Sequence, residues 1–202
     1  MRKELKIISL SEIKTEEVKW LWYPYIPFGK VTIVQGDPGK GKTTFVLSVI
    51  AALTRGDALP ECEAGLPPMN VIYQTAEDGL ADTIKPRLEA VGADCTCVQT
   101  IDDSKSMLTL TDQRLEEAIH STDAGLIVLD PLQAYLGSGV DMHRANEIRP
   151  IMKKLSAVAE RTGCAVILIS ERTLKIAKKN LGIVSAKHGD QWYWKLPKGV
   201  RV

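Results

Sequence analysis

Residues 31–43 read Val-Thr-Ile-Val-Gln-Gly-Asp-Pro-Gly-Lys-Gly-Lys-Thr. Four β-branched residues predict a buried strand over Val31–Val34. The strand runs into G-x-x-x-x-G-K-T, carried by Gly36, Gly41, Lys42 and Thr43. Beyond Thr43 the apolar positions Val46, Leu47, Val49, Ile50 and Leu53 recur at helical spacing and stop at Gly56. Strand, glycine-rich bend and helix form the context a phosphate-binding loop requires. A chance match to the fixed positions is expected in about 1% of chains this long. Glycines let backbone N–H groups turn inward around phosphates, and the positive end of the helix adds to that field. Lys42 suits the β- and γ-phosphates of a nucleotide, and the Thr43 hydroxyl suits Mg²⁺. Gly36, Asp37, Pro38, Gly39, Lys40, Gly41, Lys42, Thr43 and Thr44 are therefore the candidate ATP-binding set, with Lys40 expected to point outward.

Outward from this motif, strands alternate with helices. Val71–Tyr73 begins a second strand that stops at Ala76-Glu77-Asp78-Gly79. Leu80, Ile84, Leu88 and Val91 keep helical spacing up to Gly92, and Pro86 within them predicts a kink or a late start. Residues 98–101 read as a strand, and Thr111 or Asp112 as the cap of a helix running to His120. Leu126–Leu129 is an apolar strand ending in Asp130. Ile148, Ile151, Met152, Leu155, Val158 and Ala159 line one helix face, Gly163 ends it, and Ala165–Ile169 is the next strand. The pattern predicts the α/β class, with a mainly parallel sheet flanked by helices. Before the motif, residues 5–10 read as a short strand. Trp20–Phe28 sets five aromatics among two prolines, which forbid a regular helix. That stretch either clamps the first strand onto the core or forms a subunit contact or a wall for a flat ligand.

The chain has 202 residues, 45% hydrophobic and 25% charged, which excludes a disordered tail, a fibre or a disulfide scaffold. No apolar run nears the roughly 20 residues of a membrane span, and Met1–Lys6 shows no secretory signal, so a cytoplasmic protein is expected. The four cysteines include no C-x-x-C pair, and Cys95-x-Cys97 has no neighbouring histidine, so incidental thiols are expected. The net charge of +1 conceals an asymmetry: residues 171–202 carry eight basic and two acidic side chains, so the rest is net acidic. A basic tail on an acidic body points to two modules, the tail being the one suited to nucleic acid.

Two carboxylates complete the candidate site. Asp130 ends an apolar strand well after the P-loop, which is the Walker B pattern of an acid that helps hold Mg²⁺. Glu77 ends the second strand, on the carboxyl edge where open α/β sheets bind ligands, and can activate an attacking water. Asp78 competes for that role, and Glu77-Asp78 could equally just begin a helix, where acids favour the dipole. The candidate catalytic residues are Glu77 and Lys42, and the candidate metal ligands Thr43 and Asp130.

Further stretches carry a resemblance: Trp20-Leu21-Trp22, Pro24–Lys30, Gln35–Gly39, Thr75–Asp78, Pro86-Arg87-Leu88, Leu129-Asp130-Pro131 and Arg161–Ala165. Together they resemble the RecA-like P-loop ATPases of the RepA hexameric helicase type, the AAA-family ATPases of bacterial mobile elements. The resemblance covers about residues 5–170. It implies a RecA-type sheet, ATP hydrolysis at subunit interfaces of a hexamer, motion on DNA, and a role in DNA replication. It also implies that Glu77 is the water-activating glutamate. Arg87, Gln133, Arg144 and Arg149 are, by analogy, candidates for sensing nucleotide state or DNA.

The chain departs from that family after Ile169. In place of the polar sensor, commonly a histidine, stands Ser170-Glu171-Arg172-Thr173, and no arginine finger follows. The sequence passes into a basic stretch, residues 173–182, read as a helix. Two strand-like runs around His188-Gly189-Asp190 then read as a β-hairpin. The expected division is a truncated core, residues 1–170, and a helix–hairpin tail, residues 171–202, like part of a winged helix. An internal stretch missing near residue 170 would explain the junction, and its loss should leave the P-loop strand at an open sheet edge. Lys175, Lys178, Lys179 and Lys187 are the candidate contacts to single-stranded DNA. Without a finger, which is worth about 10³–10⁵ in rate, Mg-ATP binding with weak turnover is expected, and the hexamer is in doubt. The alternative is a non-catalytic remnant that binds nucleotide or DNA.

Overall fold

A computed structural model describes residues 7–141, 144–171, 184–188 and 191–195. Its order is β1 (Trp20–Trp22), β2 (Ile26–Pro27), β3 (Val31–Gly36), α1 (Lys42–Arg55), β4 (Asn70–Thr75), α2 (Lys85–Ala90), β5 (Val98–Gln99), α3 (Gln113–Thr122), β6 (Ala124–Asp130), α4 (Ala145–Thr162), β7 (Ala165–Glu171), β8 (Val184–His188) and β9 (Gln191–Lys195). The central sheet has five strands in the order β3-β7-β6-β4-β5, all parallel. The predicted α/β architecture stands.

Alternation along the central strands sorts the core into two layers. Val71, Tyr73, Leu126, Val128, Ala165, Ile167 and Ile169 face Val46, Leu47, Ile50 and Leu53 of α1 and Leu88 of α2. Ile72, Ile127, Leu129, Val166 and Leu168 face Leu115 and Ile119 of α3 and Leu155 and Ala159 of α4. Strands covered on both faces read as continuous apolar runs, which is why β6 and β7 were legible.

Local chemistry fixes the ends of the elements. Gly56, at φ +75°, caps α1 by donating its N–H to the carbonyls of Ala52 and Leu53. Asp112 is the residue that caps α3, its side chain accepting from the Arg114 N–H. Pro86 lies in the first turn of α2, so the helix starts late, after a wide π-helical turn over Leu80–Ile84. The guanidinium of Arg161 grips both carboxylate oxygens of Glu116 at 2.9 and 2.6 Å, tying α4 to α3.

Two expectations need correction. Val31–Val34 is not a buried strand: β3 lies at the edge of the central sheet, and Ile33 is 51% exposed. The β-branched run reflects pairing with β7 on one side only. The short strand over residues 5–10 is absent from the described part, where Leu10–Glu12 forms a single 3₁₀ turn. The open edge expected of the P-loop strand is present, no other described strand being bonded to it.

The aromatic lead-in forms the β1–β2 hairpin and closes onto the core through Leu21, Trp22 and Ile26. The Trp22 indole N–H donates to the Pro60 carbonyl at 2.9 Å, and its ring packs on Tyr25 and Phe45. That is the clamp reading, with Tyr23 and Tyr25 left exposed. The expected tail hairpin is present as the antiparallel pair β8–β9. The expected basic helix over 173–182, with Lys175, Lys178 and Lys179, lies outside the described residues. All four cysteines are free thiols, and no metal-binding cluster of His, Cys, Asp or Glu occurs among the described residues. No described helix is long and apolar enough to cross a membrane.

Candidate functional site

β3, β4 and β6 end on the same carboxyl edge, and each delivers one part of the site there. The β3 end passes into the loop 36–41. Gly39 and Gly41 adopt φ +72° and +76°, and a side chain at either would meet open space rather than protein. The loop is therefore a cradle of exposed backbone that only glycine forms without strain. Gly41 is also the N-cap of α1, so the helix opens into that cradle with its first N–H groups unpaired by side chains. Lys42 arches back across the loop, its ammonium donating to the carbonyls of Gly36 and Asp37 at 3.0 and 3.1 Å. Lys40 is exposed, as expected.

Asp130 ends β6 and is 8% exposed. Its Oδ2 accepts two bonds, from Thr43 Oγ1 at 3.0 Å and from the phenol of Tyr73 at 2.8 Å. Burial raises the Asp130 carboxyl above its ordinary value, while these two bonds act to lower it. The Tyr73 phenol is pushed far up, first by burial and then by the Asp130 charge, so it stays a donor. The donor set fits a hard cation such as Mg²⁺: a hydroxyl and a carboxylate, with the Thr43 proton already committed to Asp130 and its lone pairs left over. The structure thus brings the two expected metal ligands together.

Glu77 lies two residues beyond β4 rather than on it. Thr75 ends the strand, and its hydroxyl accepts the N–H groups of Glu77 and Asp78 at 3.4 and 3.2 Å. The Ala76 N–H donates to the Asp130 carbonyl at 3.1 Å, which docks this turn against the end of β6. The Glu77 side chain is exposed and makes no hydrogen bond or ion pair among the described residues. Asp78 instead pairs with Arg87 of α2 at 3.6 Å.

Arg87 also reaches the loop. Gly39, Gly41, Lys42, Thr43, Thr44 and Arg87 line one cleft of about 270 Å³. Gln133 meets the end of β7 instead, its amide donating to Ser170 Oγ at 3.2 Å. Arg144 and Arg149 stand apart: Arg144 pairs with Asp141 and Glu147 at the start of α4, and Arg149 is exposed on that helix. Tyr73 is the site residue the sequence reading missed. Its signal was a phenol inside an apolar strand, because a buried Tyr hydroxyl usually finds a partner.

A family model described as an AAA domain matches residues 1–171. The DNA repair protein RadA of Halalkalibacterium halodurans is 26% identical over 148 residues, which are 72% of this chain and 28% of the relative. The chain therefore spans little more than a quarter of the length of that relative. Among solved structures, the KaiC-like protein PH0186 of Pyrococcus horikoshii superimposes with a TM-score of 0.57 at 15% identity, over 92% of each chain. That likeness concerns the fold.

Proposed function

The chain belongs to the AAA-domain family of P-loop ATPases, and from that premise we propose that it binds Mg-ATP and hydrolyses it slowly, as an ATPase of RepA-helicase lineage acting in DNA replication or the maintenance of a mobile element. The observation that carries the reading is the bond between Thr43 and Asp130 beside the glycine cradle. In this reading the backbone N–H groups of residues 39–43 take the phosphates, and Lys42 exchanges its carbonyl partners for phosphate oxygens. Thr43 and Asp130 would hold Mg²⁺, which would supply charge neutralisation for the phosphates. Glu77, without a side-chain partner among the described residues and anchored through its backbone, orients a water and takes its proton. Arg87 is the side chain placed to follow the terminal phosphate, leaving Asp78 as it does so.

Slow turnover follows from the departure after Ile169. Ser170, bonded to Gln133, stands where the resemblance places a polar sensor, commonly a histidine. DNA as the polymer rests on the basic tail, with Lys175, Lys178, Lys179 and Lys187, and on the DNA-repair role in the name of the RadA relative. The division into a core, residues 1–170, and a tail, residues 171–202, belongs to the same proposal.

The test is the ATPase rate with and without single-stranded DNA, for wild type, Lys42→Ala and Glu77→Gln. A slow wild-type rate that both substitutions abolish supports the proposal. A wild-type rate equal to that of both variants supports a non-catalytic remnant. Robust DNA-stimulated turnover contradicts the predicted slowness.

A further inference from the structure

We propose that Tyr73 is the positioning residue of the metal site, its phenol pinning one oxygen of Asp130 so that the other faces the cation. The inference rests on the Mg-ATP reading of the site.

Tyr73 and Asp130 stand on adjacent parallel strands, and Thr75, two residues after Tyr73, is the register partner of Asp130. That offset lets the phenol reach up from the core to the carboxylate at the strand end. Both groups are buried, Tyr73 at 1% and Asp130 at 8% exposure. An ionised carboxylate offers about four acceptor sites on two oxygens. Tyr73 and Thr43 both donate to Oδ2, at 2.8 and 3.0 Å, which fills that oxygen and leaves Oδ1 outside the pair. Two donors on one atom fix the plane of the carboxylate. Thr43 alone would leave it free to rotate about a single bond.

Packing does not require the hydroxyl. The ring sits among the core side chains under α1 and α2, and it lines a cavity with Ile84 and Leu88. A phenylalanine would fill the same space. A buried hydroxyl without a partner is unfavourable, and among the described residues the partner of this hydroxyl is Asp130. Carboxylates that serve metals are commonly held by such outer partners, whose loss typically weakens metal affinity by about 10–100-fold.

The test separates metal from nucleotide. The affinity of the full chain for a fluorescent ATP analogue is measured in EDTA and in Mg²⁺, and the ratio of the two Kd values is the metal effect. For Tyr73→Phe the Kd in EDTA stays within about twofold of wild type, and the metal effect falls by about 10-fold. Tyr73→Met, which fills the space without a hydroxyl, gives the same loss. In an Asp130→Asn background, Tyr73→Phe changes nothing further. An unaltered metal effect in Tyr73→Phe overturns the inference while leaving the ATP site intact. So does an equal loss in EDTA and Mg²⁺, or a loss that persists beside Asp130→Asn. Wild-type protein that binds the analogue in neither buffer overturns the Mg-ATP reading and this inference with it.

Discussion

Thr43 and Asp130 lie 87 positions apart in sequence, yet the hydroxyl of one donates to the carboxylate of the other at 3.0 Å. α1 brings the first residue to the sheet edge, and β6 brings the second. Between their strands lies β7, so the contact spans the sheet rather than one hairpin. Each residue stands out in its own stretch of sequence, but the parallel topology makes them a pair.

In the proposed mechanism the exposed carboxylate of Glu77, which has no partner among the described residues, takes the water. Glu77→Gln keeps the length and the backbone anchor to Thr75 but accepts no proton. It should leave ATP affinity within about twofold and lower turnover by about 10²-fold or to background, the usual span for a lost general base. Isothermal titration and a phosphate-release assay, run on the same preparation, check both halves. Equal turnover in the two proteins would move the role to Asp78.

Arg87 divides its guanidinium between Asp78 and the cleft of the P-loop. Arg87→Ala should weaken ATP by about 10-fold, the low end for one charge-assisted hydrogen bond. ADP should bind as before, since the proposed mechanism puts Arg87 at the terminal phosphate. Competition binding of the two nucleotides measures the difference. A parallel loss for ATP and ADP would place Arg87 elsewhere on the nucleotide.

Much of this was legible in the sequence, for physical reasons that differ by residue. Gly36, Gly41, Lys42 and Thr43 announce themselves because a phosphate cradle needs those types at that spacing. β6 and β7 were plain because strands covered on both faces must be apolar throughout. Val31–Val34 misled for the converse reason: β-branched residues suit any strand, and composition does not show that one side of β3 has no neighbouring strand among the described residues. Tyr73 stayed hidden because its meaning lies in the two-residue offset between β4 and β6, which only the register reveals. Arg87 was singled out by resemblance, whereas its place in the P-loop cleft comes from the late start of α2 at Pro86.

The buried Asp130 carries a stability consequence. Burial raises its carboxyl, so the charged form is the less favoured one in the fold. The stability tied to the protonated form is complete below the ordinary value of 3.8 and is lost as pH climbs through the raised one. Asp130→Asn escapes that loss. Its melting temperature at pH 7.5 should exceed that of wild type, each ~1 kcal/mol gained appearing as about 2–4 °C in a domain this size. The advantage should disappear in strongly acidic buffer, while Mg²⁺ dependence is lost at every pH. Scanning calorimetry across pH reads it; a variant less stable at pH 7.5 would show that the bonds from Tyr73 and Thr43 outweigh burial.

The open edge of β3 gives a prediction about association. Ile33 is 51% exposed on a strand that no other described strand pairs along one side. Unprotected edges of this kind recruit other chains, and a lysine blunts them. Ile33→Lys should shift stability by about 0.5 kcal/mol or less and reduce concentration-dependent self-association. Light scattering on gel-filtration fractions measures the second effect. Identical mass distributions for variant and wild type would remove the edge from the account.

The central claim is that the bend before α1 holds a triphosphate through Lys42. Isothermal titration of the full chain with ATP in Mg²⁺ tests it most directly. The account predicts a saturable heat with wild type and none with Lys42→Ala at the same concentrations. No heat with either protein, or the same isotherm with both, would contradict it.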